Sequence, residues 1–167
     1  MANVVIYLEP PRGAEISIHP SYANTAEATI DLHIRNGRYS PRVLLVCTTQ
    51  TILERSFDTV AHNTTVQTIA NAPPGRLVPV GQPVKHRFSS EERIPIPIQC
   101  NIHPWMRAFV VIRSDPYMAA STAEGDFAIK NLPAGLHTFR VWHERAGFLR
   151  KGVSGTLMRG FAVKSAF

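Results

Sequence analysis

No apolar run in this 167-residue chain approaches the length of a bilayer-spanning helix, so no membrane span is expected. Acidic residues are scarce, 12 against 18 Lys and Arg, which leaves a net charge of +6. There is no nucleic-acid-binding motif and no basic stretch interleaved with aromatics, so the charge does not point to DNA or RNA. A glycine-rich phosphate loop, G-x-S-x-G and H-E-x-x-H are all missing, which removes the commonest phosphate cradles, serine-hydrolase elbows and zinc-protease helices. The one pair of adjacent carboxylates, Glu91-Glu92, falls on a polar loop stretch and reads as solvated. Cysteine is limited to Cys47 and Cys100. No secretory leader opens the chain: Met1-Ala2 runs straight into Asn3-Val4-Val5-Ile6-Tyr7-Leu8, which already reads as a strand. That start fits either a cytoplasmic protein or a mature form whose leader has been removed.

What is present favours β structure. A hydrophobic fraction of 44% with 18% charged residues is globular rather than disordered. Thirteen Pro and ten Gly punctuate short apolar runs, the pattern of an all-β fold. The length suits one domain or two small ones. Residues 4–8 form one clear strand before Pro10-Pro11. Residues 16–19 and 29–34 alternate weakly, as short edge strands do, and Asn36-Gly37 is a hairpin turn. Residues 43–46 and 49–57 are further strands, and 64–83 reads as loop. In Ile94-Pro95-Ile96-Pro97-Ile98 the isoleucines share one face, while the prolines remove ladder donors and leave one edge poorly bonded. Ala108-Phe109-Val110-Val111-Ile112 is apolar on both faces, as a buried strand is.

The strongest chemical signal is Cys100-Asn101-Ile102-His103-Pro104-Trp105-Met106, a C-x2-H-x2-M motif. Alternate residues of a strand face opposite ways, so a spacing of three places these side chains together only on a tight loop. Pro104 keeps His103 out of helical geometry and fixes its own φ. Thiolate and thioether favour copper(I), imidazole suits both copper oxidation states, and His2Cys with a weak axial Met is the blue-copper set. A second histidine is then required. His62, followed by Asn63, ends another strand-like run 38 residues upstream. The expected metal ligands are His62, Cys100, His103 and Met106, with copper (Cu+/Cu2+) as the ion. His19 and His33 have no companion at ligand spacing, and His86, between Lys85 and Arg87, reads as solvated.

The loop Cys100-Asn101-Ile102-His103-Pro104-Trp105-Met106-Arg107, with the Val-rich strand after it, resembles the ligand loop of the amicyanin/plastocyanin-like cupredoxins. Upstream, Pro41-Arg42-Val43-Leu44-Leu45-Val46 through Val60-Ala61-His62-Asn63 resembles the family segment that ends in the first ligand histidine. The resemblance covers residues 38–113. It implies a Greek-key β-sandwich holding one type 1 copper, used for one-electron transfer. It also implies that Asn63 ties the two ligand segments together from behind the metal. Cupredoxins work outside the cytoplasm, so it implies a periplasmic or otherwise extracytoplasmic protein with its leader removed. The partner it implies is a redox protein such as a cytochrome c or a dehydrogenase. The His103 edge is the expected electron route, with Pro104 and Trp105 as part of an apolar docking patch.

Residues 114–167 extend beyond that family's usual end. The segment from Glu124-Gly125-Asp126-Phe127 through Leu132-Pro133-Ala134-Gly135 to Val141-Trp142-His143-Glu144 reads as two strands about a Pro/Gly turn, and it resembles a carboxypeptidase regulatory-like module. Residues 1–37 supply N-terminal strands, and the strand at 4–8 is a candidate partner for that hairpin. The whole is expected to be a cupredoxin-like β-sandwich extended by an N-terminal strand and a C-terminal hairpin, in one continuous body. Positive charge gathers late, at Arg140, Arg145, Arg150, Lys151, Arg159 and Lys164 against Glu144, which reads first as ordinary solubility and otherwise as a face able to steer an acidic partner or an anionic surface. Two other readings stay open. His143 and Glu144 form a second metal site or complete an altered copper site in an enzyme or sensor, although neighbouring strand residues face opposite ways. Alternatively, Cys47 and Cys100 form a disulfide in a metal-free structural or adhesion module.

Overall fold

The computed structural model describes residues 1–11, 13–72 and 75–149, with residues 153–157 as backbone alone. The chain forms two compact units: residues 1–23 with 115–167, and residues 24–114. In chain order the strands are β1 (Val5–Leu8), β2 (Thr29–Arg35), β3 (Arg38–Ser40), β4 (Val43–Cys47), β5 (Thr51–Ser56), β6 (His62–Val66), β7 (Gly75–Val78), β8 (Val84–His86), β9 (Ile96–Gln99), β10 (Arg107–Arg113), β11 (Met118–Ala120), β12 (Gly135–His143), β13 (Gly147–Phe148) and β14 (Val153–Leu157). The helical element is a short 3-10 segment, Pro20–Thr25. No helix among the described residues is long and apolar enough to cross a membrane.

The unit of residues 24–114 is a Greek-key β-sandwich. One sheet has the order β3-β2-β5-β8 and the other β4-β10-β9-β6-β7. The chain passes repeatedly from one sheet to the other, which sets β2 parallel to β5 and β10 parallel to β4. The inner faces follow the period-two rule. Leu32 and Ile34 of β2, Ile52 of β5, Val66 of β6, Ile96 and Ile98 of β9, and Val110 and Ile112 of β10 form one buried cluster. Asn36 and Gly37 have φ of 52° and 64°, the paired left-handed conformation that joins β2 to β3 in a tight hairpin. The apolar run of β10 is central, with β4 on one side and β9 on the other.

Proline shapes β9. Its ladder to β10 has four residue pairs, whereas its ladder to β6 has only Thr65↔Gln99 and Val66↔Ile98. The Pro97 carbonyl still accepts from the Gln67 amide at 3.3 Å. Two stretches in the first half of the chain differ from their sequence reading. Residues 16–19 are not a strand; Ile18 is exposed, and weak alternation without a buried side chain gives a strand nothing to pair over. Residues 64–83, expected as loop, hold the end of β6 and all of β7. As an edge strand, β7 needs one partner and exposes Leu77, so its pattern is faint.

In the other unit the sheet order is β11-β1-β12-β13, and β14 also pairs with β12. All four residues of β1 are buried, as befits a central strand. Its antiparallel partner is β12, from Val5↔Trp142 to Leu8↔Phe139. The expected first strand of the late hairpin, around Phe127 and Ile129, holds only an isolated bridge at Ile129. The apolar β1 occupies the place beside β12, and the hairpin that forms is β12 with β13.

Candidate metal centre

Strand pairing brings together two segments far apart in sequence. His62 opens β6 and Cys100 follows β9, and the register Thr65↔Gln99 sets those ends side by side. The next loop carries His103. Its backbone is closed by the Met106 amide donating to the His103 carbonyl at 2.9 Å and the Cys100 amide donating to the Met106 carbonyl at 3.4 Å. His62 Nδ1 stands 3.1 Å from His103 Nδ1, and Cys100 Sγ stands 3.7 Å from that same nitrogen. Among the described residues, His62, Cys100 and His103 are the group of three or more metal-donor side chains whose ligand atoms all lie within 4.8 Å of one another. Metal bonds of about 2.0 Å to nitrogen and 2.3 Å to sulfur place donors around one ion roughly 3 to 4 Å apart. The donor set and its separations fit a thiolate-binding metal ion. His62 and Cys100 are buried and His103 is half-buried, so the site lies just under the surface.

Met106 is 1% exposed and belongs to the core cluster next to this loop. Asn63 holds the loop from the other side. Its Oδ1 accepts from the Asn101 amide at 2.7 Å and the Ile102 amide at 3.3 Å, and meets Cys100 Sγ at 3.4 Å. Its Nδ2 donates to Thr65 Oγ1 at 3.4 Å, and the Asn101 side chain donates to the same hydroxyl at 3.2 Å. Tyr39 donates to the Asn63 carbonyl at 3.1 Å. Burial, outweighing the nearby Thr64 hydroxyl, pushes its phenol well above the usual range and keeps it neutral. Pro104 and Trp105 lie on the outside; Trp105 is 70% exposed, with its ring 5.1 Å from the His103 ring.

Sequence reasoning missed Asp58. Its Oδ2 lies 3.0 Å from His62 Nε2, the ring nitrogen directed away from the other donors. Its two oxygens accept from the amides of Asn36 (2.5 Å) and Gly37 (2.9 Å). Burial raises the Asp58 carboxyl, but the two amides and the bond and charge of His62 outweigh it and hold the group below its ordinary 3.8. Asp58 lies in the bend between β5 and β6, where a spacing of four residues carries no periodic signal, so the pair is invisible in the sequence.

His143 and Glu144 lie in the other unit, both half-buried, and belong to no converging donor group among the described residues. His143 Nδ1 accepts from the Arg145 amide at 3.3 Å. Cys47 and Cys100 are not joined in a disulfide: Cys100 is buried and Cys47 half-buried. The expected disulfide of the structural alternative is not what this structure holds. Of the late basic residues, Arg140 is paired with Glu9 at 2.6 Å, while Arg150, Lys151, Arg159 and Lys164 lie outside the described residues. Two residues expected to be solvated are buried. Glu92 is 2% exposed and its Oε1 accepts from the amides of Ile69 and Ala70 and from Asn71 Nδ2. His86 is 7% exposed, set edge-on to Phe88, with Nδ1 unpartnered among the described residues. Their charged sequence neighbours point the other way, as strand and loop geometry allow.

A β-sandwich with a His, Cys, His cluster where β6 begins and β9 ends is thus the class of site the chain builds. No protein-family model and no curated protein matches the chain. Solved structures do. A copper-containing nitrite reductase from Thermus scotoductus aligns at 16% identity and a TM-score of 0.46, over 50% of this chain and 22% of its own. A purple cupredoxin from Nitrosopumilus maritimus aligns at 21% identity and a TM-score of 0.41, over 49% of this chain and 97% of its own. Amicyanin from Paracoccus versutus aligns at 17% identity and a TM-score of 0.45, over 51% of this chain and 81% of its own.

Proposed function

We propose that this chain is a type 1 copper protein that carries single electrons between redox partners outside the cytoplasm. The observation that carries the reading is the convergence of two imidazole nitrogens and one thiol sulfur, drawn from β6 and from the loop after β9. Cys100 would supply the thiolate, His62 and His103 their Nδ1 atoms, and Met106 a weaker thioether donor. When bound, copper would supply the one-electron couple between Cu(I) and Cu(II). The chain's own part is to hold the donors still. Asn63 ties loop to strand, and the ladders on both sides of β9 clamp the ligand ends, so little reorganises when the ion changes charge.

His103 is the route for electrons in this reading, since it is half-buried while His62 and Cys100 are buried. Ile102 (52% exposed), Pro104 and Trp105 surround it with apolar surface where a cytochrome c or dehydrogenase-like partner docks. The extracytoplasmic assignment rests on the resemblance of residues 38–113 to cupredoxins. The assignment of residues 114–167 to an appended module rests on the resemblance of residues 124–144 to the carboxypeptidase regulatory-like family.

The test is titration of the reduced, metal-free protein with Cu(II), followed by visible absorption and electron paramagnetic resonance. One copper per chain and an intense charge-transfer band, lost in Cys100→Ser, are expected. A colourless wild type, or a band that survives Cys100→Ser, refutes the assignment. Replacing His103 with Ala should abolish rapid electron exchange with a partner; unchanged exchange removes His103 from the route.

A further inference from the structure

We propose that Asp58 is a positioning residue for the metal centre, fixing His62 in the tautomer that carries its proton on Nε2 and offers Nδ1 to the ion. The inference rests on the metal reading above and deepens it. A histidine bound to a metal through one nitrogen needs its other N–H directed at an acceptor, and a carboxylate in that place also raises the basicity of the ring. Asp58 Oδ2, 3.0 Å from His62 Nε2, is that acceptor. An exposed Asp–His pair contributes little, but here the histidine side chain is 1% exposed and the aspartate 11%.

The carboxylate is itself held in place. The Asn36 and Gly37 amides point into it at 2.5 and 2.9 Å, from a turn whose left-handed backbone is set by the β2–β3 hairpin. Asp58 therefore has its orientation before any ion arrives. The same turn lies against the second histidine's neighbour: a Cβ added to Gly37 would stand 3.3 Å from Trp105 Nε1, and Trp105 lies against His103. One hairpin turn thus braces both histidine supports, from a part of the sequence that contributes no ligand. The carboxylate also adds a negative charge behind His62, which would favour the more highly charged oxidation state of a bound ion.

The tautomer is read first, in metal-free protein at pH 8, from the ring-nitrogen shifts of 15N-labelled His62. Wild type should show Nε2–H; an Nδ1–H majority overturns the proposal without any mutant. Asp58→Asn should lose that preference and weaken Zn(II) and Cu(I) binding about 10- to 100-fold, measured by chelator competition. It should also raise the reduction potential of the copper form. Asp31→Asn, which removes an exposed carboxylate 3.3 Å from Arg55, should change none of these and controls for general loss of charge. A folded Asp58→Asn with wild-type tautomer and affinities within twofold overturns the assignment. Because the tautomer is read without metal and affinity with zinc as well as copper, failure to load copper alone bears on the copper reading and not on Asp58.

Discussion

Glu54 and His86 should give this protein a pH–stability profile in which two opposing terms hide one another. Glu54 on β5 is 1% exposed, and neither carboxylate oxygen has a hydrogen-bond partner among the described residues. Burial raises it from 4.5 to about 7, although the Thr64 hydroxyl, near but not in normal bonding geometry, and the Arg76 charge pull the other way. His86 on the neighbouring β8 is lowered from 6.5 to about 4, first by burial and then by Arg76. Each interval spans about two and a half powers of ten in proton affinity, roughly 3 kcal/mol of folding free energy. The signs differ. The folded state binds more protons than the unfolded at Glu54 between pH 4.5 and 7, so that term lowers stability as pH rises. It binds fewer at His86 between pH 4 and 6.5, so that term raises stability over nearly the same window. From this pair, wild-type stability should therefore be nearly flat from about pH 4.5 to 6.5 and fall slightly towards 7. Glu54→Gln should expose the His86 term, with stability climbing about 3 kcal/mol from pH 4 to 6.5. His86→Gln should expose the Glu54 term, with a fall of similar size from pH 4.5 to 7. Urea unfolding at half-unit pH steps, on metal-free protein, measures all three. A Glu54→Gln slope equal to that of wild type would falsify the burial argument.

Three further outcomes are expected. Glu92→Ala orphans the Ile69 and Ala70 amides and Asn71 Nδ2 at a buried position, and should cost about 3 kcal/mol in urea unfolding; a loss under 1 kcal/mol would mean that water replaces the carboxylate. Asn63→Ala removes the acceptor for the Asn101 and Ile102 amides and should cost about 1–3 kcal/mol, with hydrogen exchange accelerated at those loop amides more than at the amides of β6; uniform acceleration would show that the loop is held otherwise. Met106→Leu conserves volume in the core and should cost less than about 1.5 kcal/mol. It should leave the Cys100 charge-transfer band in place and raise the reduction potential, because a donor to the more charged ion is gone; an unchanged potential rules out the axial role.

Much of the candidate metal centre could be read from the chain because its information is local. Cys100, His103 and Met106 sit on one short loop, and the three-residue spacing with Pro104 is enough to require that loop. Asn36-Gly37 was legible for the same reason, since two left-handed residues in succession need that pair. The β1–β12 pairing was legible only through the resemblance of the late segment, and β7 was not legible. An apolar stretch such as residues 5–8 announces a buried strand but does not choose its neighbour, and an edge strand with Leu77 outward has little pattern to announce.

The sequence by itself determined the donor types, the tight ligand loop, the hairpin turn and the alternation that makes the chain a sandwich. These follow from side-chain chemistry and from dihedral preferences within a few residues. Only the tertiary structure decided that His62 meets Cys100 across the β6–β9 ladder, that Asp58 stands behind His62 on the amides of a distant turn, and that Glu54, His86 and Glu92 are buried. Burial and partnership depend on which strand arrives overhead, and that is set by the cooperative packing of both sheets. A polar residue in a strand shows which face it occupies, but not whether water remains on that face.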